Sequence, residues 1–235
     1  MIKYNRVLLK LSGEALMGDD NYGINAEIVN SYVEQVSEIV KMGVQVGIVI
    51  GGGNIFRGMT GTGKGFDRVI GDQMGMMATV INSMALLSSF ENIGQEASVF
   101  TAFSIESIGE RFSKQKAIHA MKSNKVAIFS GGTGNPFFTT DSASALRAVE
   151  IEADVLLKGT RVDGIYTADP EKDPQATKFG QISFDETIKR NLKIMDQTAF
   201  TMCKENNLPI VVFDMNKSGN LGKIAKGEKI GTLVS

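Results

Sequence analysis

The sequence is poor in the residues on which several common kinds of functional site depend. It has one cysteine, Cys203, one histidine, His119, and no tryptophan. A single thiol excludes an internal disulfide and a cysteine-rich zinc site, and it suits a reducing compartment, so we expect a cytoplasmic protein. A single histidine disfavours a Ser-His-Asp triad and a histidine-based metal site. We therefore expect Cys203 to be a packing residue and His119 to be a surface or packing residue.

An excess of charge of one sign is also lacking. Lysine and arginine number 25 and aspartate and glutamate 26, so the net charge is −1. No global field then attracts nucleic acid or an anionic membrane, and we expect neither as a partner. The N-terminal apolar run is interrupted by Lys10 and is not followed by a small-residue cleavage site, which argues against a signal peptide.

One uncharged stretch, residues 73–90, approaches the length of a membrane span. It contains polar residues such as Asn82 and Ser83, which a membrane-spanning helix would expose to lipid. We interpret it as a helix buried within the protein or between subunits.

The remaining pattern predicts an α/β fold. Short β-branched runs alternate with helical periods along all 235 residues, and the strands are apolar on both faces. Strand, helix, strand in this order indicates parallel pairing. The prediction is a three-layer αβα sandwich with a mainly parallel sheet. We expect one domain, with an N-terminal lobe over about 1–150 and a C-terminal lobe over about 151–235.

Three predicted strands end in small or glycine-rich turns, at residues 10–13, 51–54 and 130–134. Ligands of open parallel sheets bind at the carboxyl ends of strands, where glycines let backbone N–H groups approach anionic oxygens. The N-termini of the helices that follow add partial positive charge. Three such turns at one sheet edge predict a phosphate site.

Charged residues next to these turns strengthen that prediction. Lys10 and Lys158 each lie in an otherwise apolar strand, and Arg57 follows the second turn. Phosphoryl transfer needs fixed cations, and a guanidinium group suits a phosphate. The pattern offers no good general base, which weakly favours an acceptor that is already anionic. Asp72 and Asp141 are candidates for orienting groups.

A Walker-like match is weaker. Residues 58–65 satisfy G-x-x-x-x-G-K, but Gly65 stands where serine or threonine should hold magnesium. We interpret this stretch as a loop.

Several motifs together resemble one family. They are KLSGEAL from Lys10, GGGNIFR from Gly51, GDQMGM from Gly71, TGNPFFTTD from Thr133 and TADP from Thr167. The chain resembles the bacterial uridylate kinases, a branch of the amino acid kinase fold family that also includes aspartate, glutamate, acetylglutamate and carbamate kinases. The resemblance implies transfer of the γ-phosphoryl group of ATP to UMP, with Mg²⁺ arriving on the ATP and no metal site built by the protein.

The resemblance also implies residue roles, which we carry over as expectations. The catalytic group would be Lys10, Arg57, Lys158 and Asp141. The ATP site would be formed by Lys10, Leu11, Ser12, Gly13, Gly53, Arg57, Thr160, Tyr166 and Asp169. The UMP site would be formed by Gly52, Asp72, Thr133, Gly134, Asn135, Pro136, Phe137, Phe138, Thr139 and Thr140.

Regulation and assembly follow from the same resemblance. An activating GTP would act at the segment Gly18, Asp19, Asp20, Asn21, Tyr22 and Gly23. UTP would inhibit the enzyme. The protein would be a homo-oligomer, as a hexamer built from dimers. In that assembly the uncharged stretch 73–90 would form a subunit contact.

Three alternatives remain open. A sibling kinase would phosphorylate an amino acid or carbamate and would differ in the acceptor loop at residues 133–140. A nucleotide sensor of the same fold would need no catalytic cations. A P-loop NTPase would depend on Lys64.

Overall fold

A central sheet organises the protein. The structure is a computed structural model, and it describes residues 2–20, 22–56, 67–168, 170, 172–173 and 175–235. The strands of this part of the chain are Arg6–Leu11 (β1), Gln45–Ile50 (β2), Ala97–Thr101 (β3), Glu110–Arg111 (β4), Val126–Ser130 (β5), Val155–Thr160 (β6), Gln181–Ile182 (β7), Ile210–Asp214 (β8) and Thr232–Val234 (β9). They form one sheet in the order β4-β3-β5-β2-β1-β6-β8-β9-β7.

The pairing is mainly parallel. Neighbouring strands from β4 to β8 are parallel, whereas β9 is antiparallel to β8 and parallel to β7. The carboxyl ends of β1, β2, β5 and β6 therefore meet at one edge of the sheet. All three turns that the sequence placed at strand ends follow β1, β2 and β5, as predicted.

Helices cover both faces of the sheet. Among the described residues they are Ala26–Lys41 (α1), Arg68–Asn92 (α2), Lys114–Lys122 (α3), Thr140–Glu150 (α4), Phe184–Lys189 (α5), Gln197–Glu205 (α6) and Asn220–Ala225 (α7), with a 3-10 helix at Gly13–Met17. Buried side chains of α1, α2 and α7 pack on one face, and those of α3, α4, α5 and α6 pack on the other. The predicted three-layer αβα sandwich is confirmed.

The central strand β1 shows why the sequence adopts this arrangement. Val7, Leu9 and Leu11 belong to the core of the first face, whereas Leu8 belongs to the core of the second. A strand that is apolar on both faces is stable only when helices cover both. By the same alternation, Lys10 lies on the side of Leu8, towards α4.

The longest helix differs from its prediction. The uncharged stretch at residues 73–90 predicts a helix there, but α2 begins at Arg68 and ends at Asn92. It begins earlier because the Asp67 carboxylate accepts hydrogen bonds from the backbone N–H groups of Val69 and Ile70 and so caps the helix. None of the helices in the described residues combines the length and the apolarity that a membrane crossing requires.

Four short elements were not predicted: β4 at one end of the sheet, β9 and β7 at the other, and the helix α7. β4, β7, α7 and β9 have two to six residues each, too few to show a hydrophobic period.

The thiol of Cys203 is buried in α6. Burial has the largest effect on its pKa, and the Asp141 and Asp196 carboxylates add to this effect, so the pKa rises to about 12. The prediction that Cys203 is a packing residue is confirmed.

Candidate active site

Two lysines and one aspartate meet at the carboxyl edge of the sheet. Lys10 of β1 and Lys158 of β6 are direct neighbours in the parallel register. The Asp141 carboxylate, in the first turn of α4, lies 2.9 Å through Oδ1 from Lys10 Nζ and 3.0 Å through Oδ2 from Lys158 Nζ. The side chains of Lys10, Lys158 and Asp141 are 12%, 13% and 16% exposed, so one largely buried carboxylate holds two cations side by side.

The charges of this lysine–aspartate cluster depend on one another. Burial by itself raises the pKa of the Asp141 carboxyl, but the ammonium groups of Lys10 and Lys158 outweigh burial and lower that pKa below its ordinary value. Burial also lowers the pKa of Lys158, while Asp141 opposes this effect and Lys10 adds to it. The cluster therefore holds two basic groups around one carboxylate, an arrangement that favours the arrival of a further anion.

The cluster is held in place from α6 and from the loop before it. The Lys158 ammonium donates to the backbone carbonyl of Ile194. The Asp196 carboxylate caps α6 at Ala199 N and also accepts hydrogen bonds from the hydroxyls of Thr139 and Ser142. Because Thr139 is itself the N-cap of α4, Asp196 fixes the helix end that carries Asp141.

A cavity of about 200 Å³ lies between α2 and the loop at residues 132–140. We call it the α2 cavity. It is lined by the turn after β2, by the first half of α2 and by that loop: Gly52, Gly53, Phe56, Arg68, Asp72, Gly75, Met76, Thr79, Gly132, Thr133, Asn135, Phe138, Thr139 and Thr140. Most of the residues expected to bind UMP are in this lining; Gly134, Pro136 and Phe137 belong to the same loop outside it. Gly53, which was expected to face ATP, also lines this cavity.

Asp72 is oriented inside the α2 cavity by two donors. Arg68 Nε donates to Asp72 Oδ2 over 2.8 Å, and the backbone N–H of Phe137 donates to the same oxygen over 2.7 Å. The Arg68 guanidinium carbon also lies 5.4 Å from the centre of the Phe137 ring. Phe137 has a φ of 70°, unusual for a residue with a side chain. These contacts tie the loop at residues 132–140 to α2.

Two further cavities are lined by residues of the lysine–aspartate cluster. A cleft of about 230 Å³, the lysine cleft, is lined by Lys10, Ser12, Glu14, Ala15, Lys158, Gly159, Thr160 and Arg161. A larger cavity of about 720 Å³, the β6 cavity, is lined by Lys158, Thr160, Val162, Gly164, Ile165, Tyr166, Thr167, Ala168, Pro170, Arg190, Asn191, Leu192, Lys193, Ile194 and Val212. The two share Lys158 and Thr160, and Asp141, which binds both lysines, directly follows Thr140 of the α2 cavity lining.

The glycine turns approach one another too closely for side chains. A Cβ atom on Gly13 would lie 2.5 Å from both the Gly51 carbonyl oxygen and Asn54 Oδ1. A Cβ atom on Gly52 would lie 2.8 Å from Ala78 Cβ and 2.9 Å from the Gly75 carbonyl oxygen on α2. These glycines are required because the turns after β1 and β2 pack against each other and against α2.

Several expected site residues contribute differently or cannot be placed. The Leu11 side chain is 1% exposed and packs in the core, so only its backbone can face a ligand. Arg57, Asp169 and Asn21, with the Walker-like stretch 58–65, lie outside the described residues. The rest of the expected effector segment, Gly18, Asp19, Asp20, Tyr22 and Gly23, follows the 3-10 helix, and Tyr22 is 81% exposed.

The side chains that could bind a metal ion do not cluster in the described part of the chain. There, no group of three or more His, Cys, Asp or Glu side chains is placed to hold a metal ion. Asp141 is already engaged by two ammonium groups. These residues would therefore fit a metal that arrives on a ligand better than one held by a cage of carboxylates.

Sequence reasoning missed three residues of this region. Arg68 lies before the uncharged stretch 73–90, and Asp196, the N-cap of α6, belongs to none of the motifs found in the sequence. Asn82, which is 0% exposed, counted only as a polar residue in an uncharged stretch. A signal for Arg68 was present, since an arginine four residues before an aspartate forms an ion pair in a helix. The partners of Asp196 and Asn82 are remote in sequence and gave no local signal.

The chain is similar to known kinases over its whole length. The sequence model of the amino acid kinase family matches residues 5–214. A uridylate kinase of Bacteroides thetaiotaomicron is 65% identical over 234 residues, covering 100% of this chain and 99% of that protein. A uridylate kinase of Parabacteroides distasonis is 64% identical, with the same coverage.

Solved structures of UMP kinases are also similar to this chain over nearly its whole length. A UMP kinase from Bacillus anthracis superposes with a TM-score of 0.96 at 35% identity, over 99% of this chain and 96% of that one. A UMP kinase from Ureaplasma parvum superposes with a TM-score of 0.93 at 36% identity, over 100% of both chains.

Proposed function

The chain belongs to the amino acid kinase family, and on that premise we propose that it transfers the γ-phosphoryl group of ATP to UMP and forms UDP in pyrimidine nucleotide biosynthesis. The observation that carries the proposal is the lysine–aspartate cluster: its lysines line the lysine cleft and the β6 cavity, and its Asp141 directly follows Thr140 of the α2 cavity. Two nucleotides that meet head to head need cations at their junction. The relatives named above are uridylate or UMP kinases.

Each cavity takes one substrate in this proposal. UMP occupies the α2 cavity, with its ribose hydroxyls donating to Asp72 and its remaining contacts made by the loop at residues 133–140. The ATP phosphates occupy the lysine cleft beside Ser12 and Gly13, and Gly53, in the α2 cavity lining, contacts the end of the phosphate chain nearest UMP. The ATP nucleoside occupies the β6 cavity beside Thr160 and Tyr166. The family resemblance assigns Arg57 to the ATP phosphates and Asp169 to the ATP nucleoside. The N-terminal lobe thus mainly binds UMP and the C-terminal lobe mainly binds the ATP nucleoside.

The reaction is direct in-line transfer. The oxygen of the UMP phosphate is already anionic, so it attacks the γ-phosphorus without a general base. The bond from that phosphorus to the β,γ-bridging oxygen breaks, and ADP leaves. Lys10 and Lys158 stabilise the charge on the transferring group, and Asp141 holds both ammonium groups at fixed positions beside each other. Mg²⁺ carried by ATP would neutralise further charge on the phosphate oxygens, in addition to the charge that the lysines stabilise.

A panel of acceptors tests the proposal. We expect ADP release with ATP and UMP, weaker release with CMP and dUMP, and none with aspartate. GTP and UTP are added in separate arms, because we also propose GTP as an activator at residues 18–23 and UTP as an inhibitor, on the strength of the family resemblance. Phosphorylation of aspartate or glutamate, with UMP left unchanged, would identify a sibling kinase instead.

Asp72 provides the most specific test of the UMP site. Replacing Asp72 with asparagine keeps the size of the side chain but removes a charged acceptor, whose hydrogen bonds contribute about 1.5–3 kcal/mol. We expect the KM for UMP to rise about tenfold to a hundredfold, while the KM for ATP stays within about twofold. The preference for UMP over dUMP should fall in the same measurement. An unchanged UMP/dUMP ratio would remove Asp72 from the ribose site.

We also propose that the protein is a homo-oligomer, most simply a hexamer built from dimers. Ile70, Met77, Ile81 and Met84 are between 44% and 49% exposed and lie along one side of α2, which carries no charge from residue 73 to residue 90. An exposed apolar stripe of this kind is typical of a subunit contact.

Replacing Ile81 with glutamate should dissociate this contact, because it buries an unpaired charge between subunits. Light scattering coupled to gel filtration would then show a smaller particle than the parent. Ile188→Glu is the matched control, since Ile188 is a 54% exposed isoleucine on α5. If both variants keep the parent's mass, the α2 stripe is not the contact.

We also propose that the protein is located in the cytoplasm.

A further inference from the structure

Two buried asparagines behind the glycine turns form a reciprocal pair. Asn54, in the turn after β2, is 2% exposed, and Asn82, in the middle of α2, is 0% exposed. Asn54 Nδ2 donates to Asn82 Oδ1 over 3.0 Å, and Asn82 Nδ2 donates to Asn54 Oδ1 over 2.7 Å. The two carboxamides thus each donate to and accept from the other in the interior.

The second N–H of each carboxamide holds a backbone carbonyl. Asn82 Nδ2 donates to the Gly51 carbonyl over 2.6 Å, and Asn54 Nδ2 donates to the Gly23 carbonyl over 2.8 Å. The backbone N–H of Gly23 returns a bond of 3.0 Å to the Asn54 carbonyl. All four side-chain N–H groups are therefore used, and they join α2 to two separate backbone segments.

The pair also bears on the turn after β1. A Cβ atom on Gly13 would lie 2.5 Å from Asn54 Oδ1 and 2.5 Å from the Gly51 carbonyl oxygen, so both atoms form a wall against Gly13. Gly13 follows Lys10 by three residues, and Gly52, the neighbour of Gly51, lines the α2 cavity. The asparagine pair thus lies against the turn that follows Lys10 and holds the turn whose next residue, Gly52, lines the α2 cavity.

We propose that Asn54 and Asn82 are positioning residues of the transfer reaction, because their paired side chains lock the Gly51 turn and the segment around Gly23 against the Gly13 turn. This inference rests on the proposed function, since it concerns the alignment of two bound nucleotides. Neither side chain touches a substrate in this scheme. A misplacement of about 1 Å in a transfer site can cost on the order of a hundredfold in rate.

Two isosteric changes separate the bond to Gly51 from the bond to Gly23, and each also breaks one of the two bonds within the asparagine pair. Asn82→Asp loses the donors to Gly51 and to Asn54 Oδ1 but keeps the acceptor for Asn54 Nδ2. Asn54→Asp loses the donors to Gly23 and to Asn82 Oδ1 but keeps the acceptor for Asn82 Nδ2. We expect N82D to lower kcat about tenfold or more at a temperature at which circular dichroism shows it fully folded. The KM for UMP should change by less than about threefold, since the contacts to UMP remain. N54D should lower kcat less.

Hydrogen exchange gives a readout that does not depend on catalysis. N82D should exchange faster at residues 51–54, and N54D should exchange faster at residues 18–25 while residues 51–54 stay protected. Asn30→Asp is the matched control, because Asn30 Oδ1 accepts a hydrogen bond from Ser89 on α2 and lies on α1, outside the glycine turns. Its kcat and exchange pattern should equal those of the parent.

The outcomes are distinguishable. A folded N82D with kcat within about twofold of the parent would overturn the inference, and so would unchanged exchange in both segments. If N82D does not fold, N54D decides alone: faster exchange confined to residues 18–25 supports the lock, and unchanged exchange refutes it. If the parent does not phosphorylate UMP, the proposed function fails, and the exchange patterns still show whether the asparagine pair locks the turns.

Discussion

Replacing Lys10 with methionine should lower kcat with ATP and UMP on the order of a hundredfold or more, as removal of comparable electrostatic groups does. The Lys10 ammonium lies 2.9 Å from Asp141 and lines the lysine cleft, the proposed site of the ATP phosphates. Methionine keeps most of the length of the side chain but brings no charge. The loss should therefore appear mainly in kcat, because the cation acts on charge that develops during transfer.

The comparison uses Lys41→Met, which removes an exposed lysine from the last turn of α1, at the opposite edge of the sheet. Its kcat should stay within about twofold of the parent's. Single-turnover rates would separate the chemical step from product release. Equal kcat values for K10M and the parent would remove Lys10 from the catalytic group.

The lysines of the site were predictable because they break a strong pattern. β1 and β6 are apolar on both faces, and a lysine in such a strand must either reach the open edge or be buried at a high cost. Their meeting at one edge followed from parallel pairing, and the register of β1 with β6 confirms it. Here a local pattern and a topological rule were sufficient.

The supports of the site were not predictable in the same way. Asp196 holds Thr139 and Ser142 across more than fifty positions of the sequence, and Asn82 holds Gly51 across 31. Such pairs depend on which helices become neighbours, and the pattern of one helix does not contain that information. Polar residues in α2 and α6 also have ordinary explanations, as caps or as the solvated side of a helix.

The outermost strands on the β8 side of the sheet, β9 and β7, were not predicted, for a different reason. β7 has two residues and β9 has three, and their pairing forms at the end of the chain, with β9 antiparallel to β8. Two or three residues cannot show a period of two, so such strands are set by the surface that they complete rather than by their own sequence. The missed strands do not change the predicted position of the site, because the site lies at the carboxyl ends of the central strands.

Replacing Asp141 with asparagine should destabilise the protein more than the loss of any exposed ion pair. The substitution leaves Lys10 and Lys158 next to each other without their shared carboxylate, at side-chain exposures of 12% and 13%. Breaking a buried pair by removing one partner costs about 3–5 kcal/mol, which for a chain of this size lowers Tm by about 6 to 20 °C. Asp185→Asn is the control, because Asp185 is 81% exposed in its pair with Lys204, and Tm should move by no more than about 4 °C.

The pH dependence identifies the cause of this loss. Because the pKa of Asp141 is lowered in the folded protein, its contribution is complete above the pKa of an unfolded aspartate and disappears as the pH falls through the folded value. The Tm difference between parent and D141N should therefore be constant from about pH 5 to 8 and shrink below about pH 4. It should also narrow in alkaline solution, because burial lowers the pKa of Lys158 and the variant lacks the carboxylate that opposes this. A Tm difference that stays the same from pH 3 to pH 8 would show that lost packing, rather than the charge of Asp141, destabilises the variant.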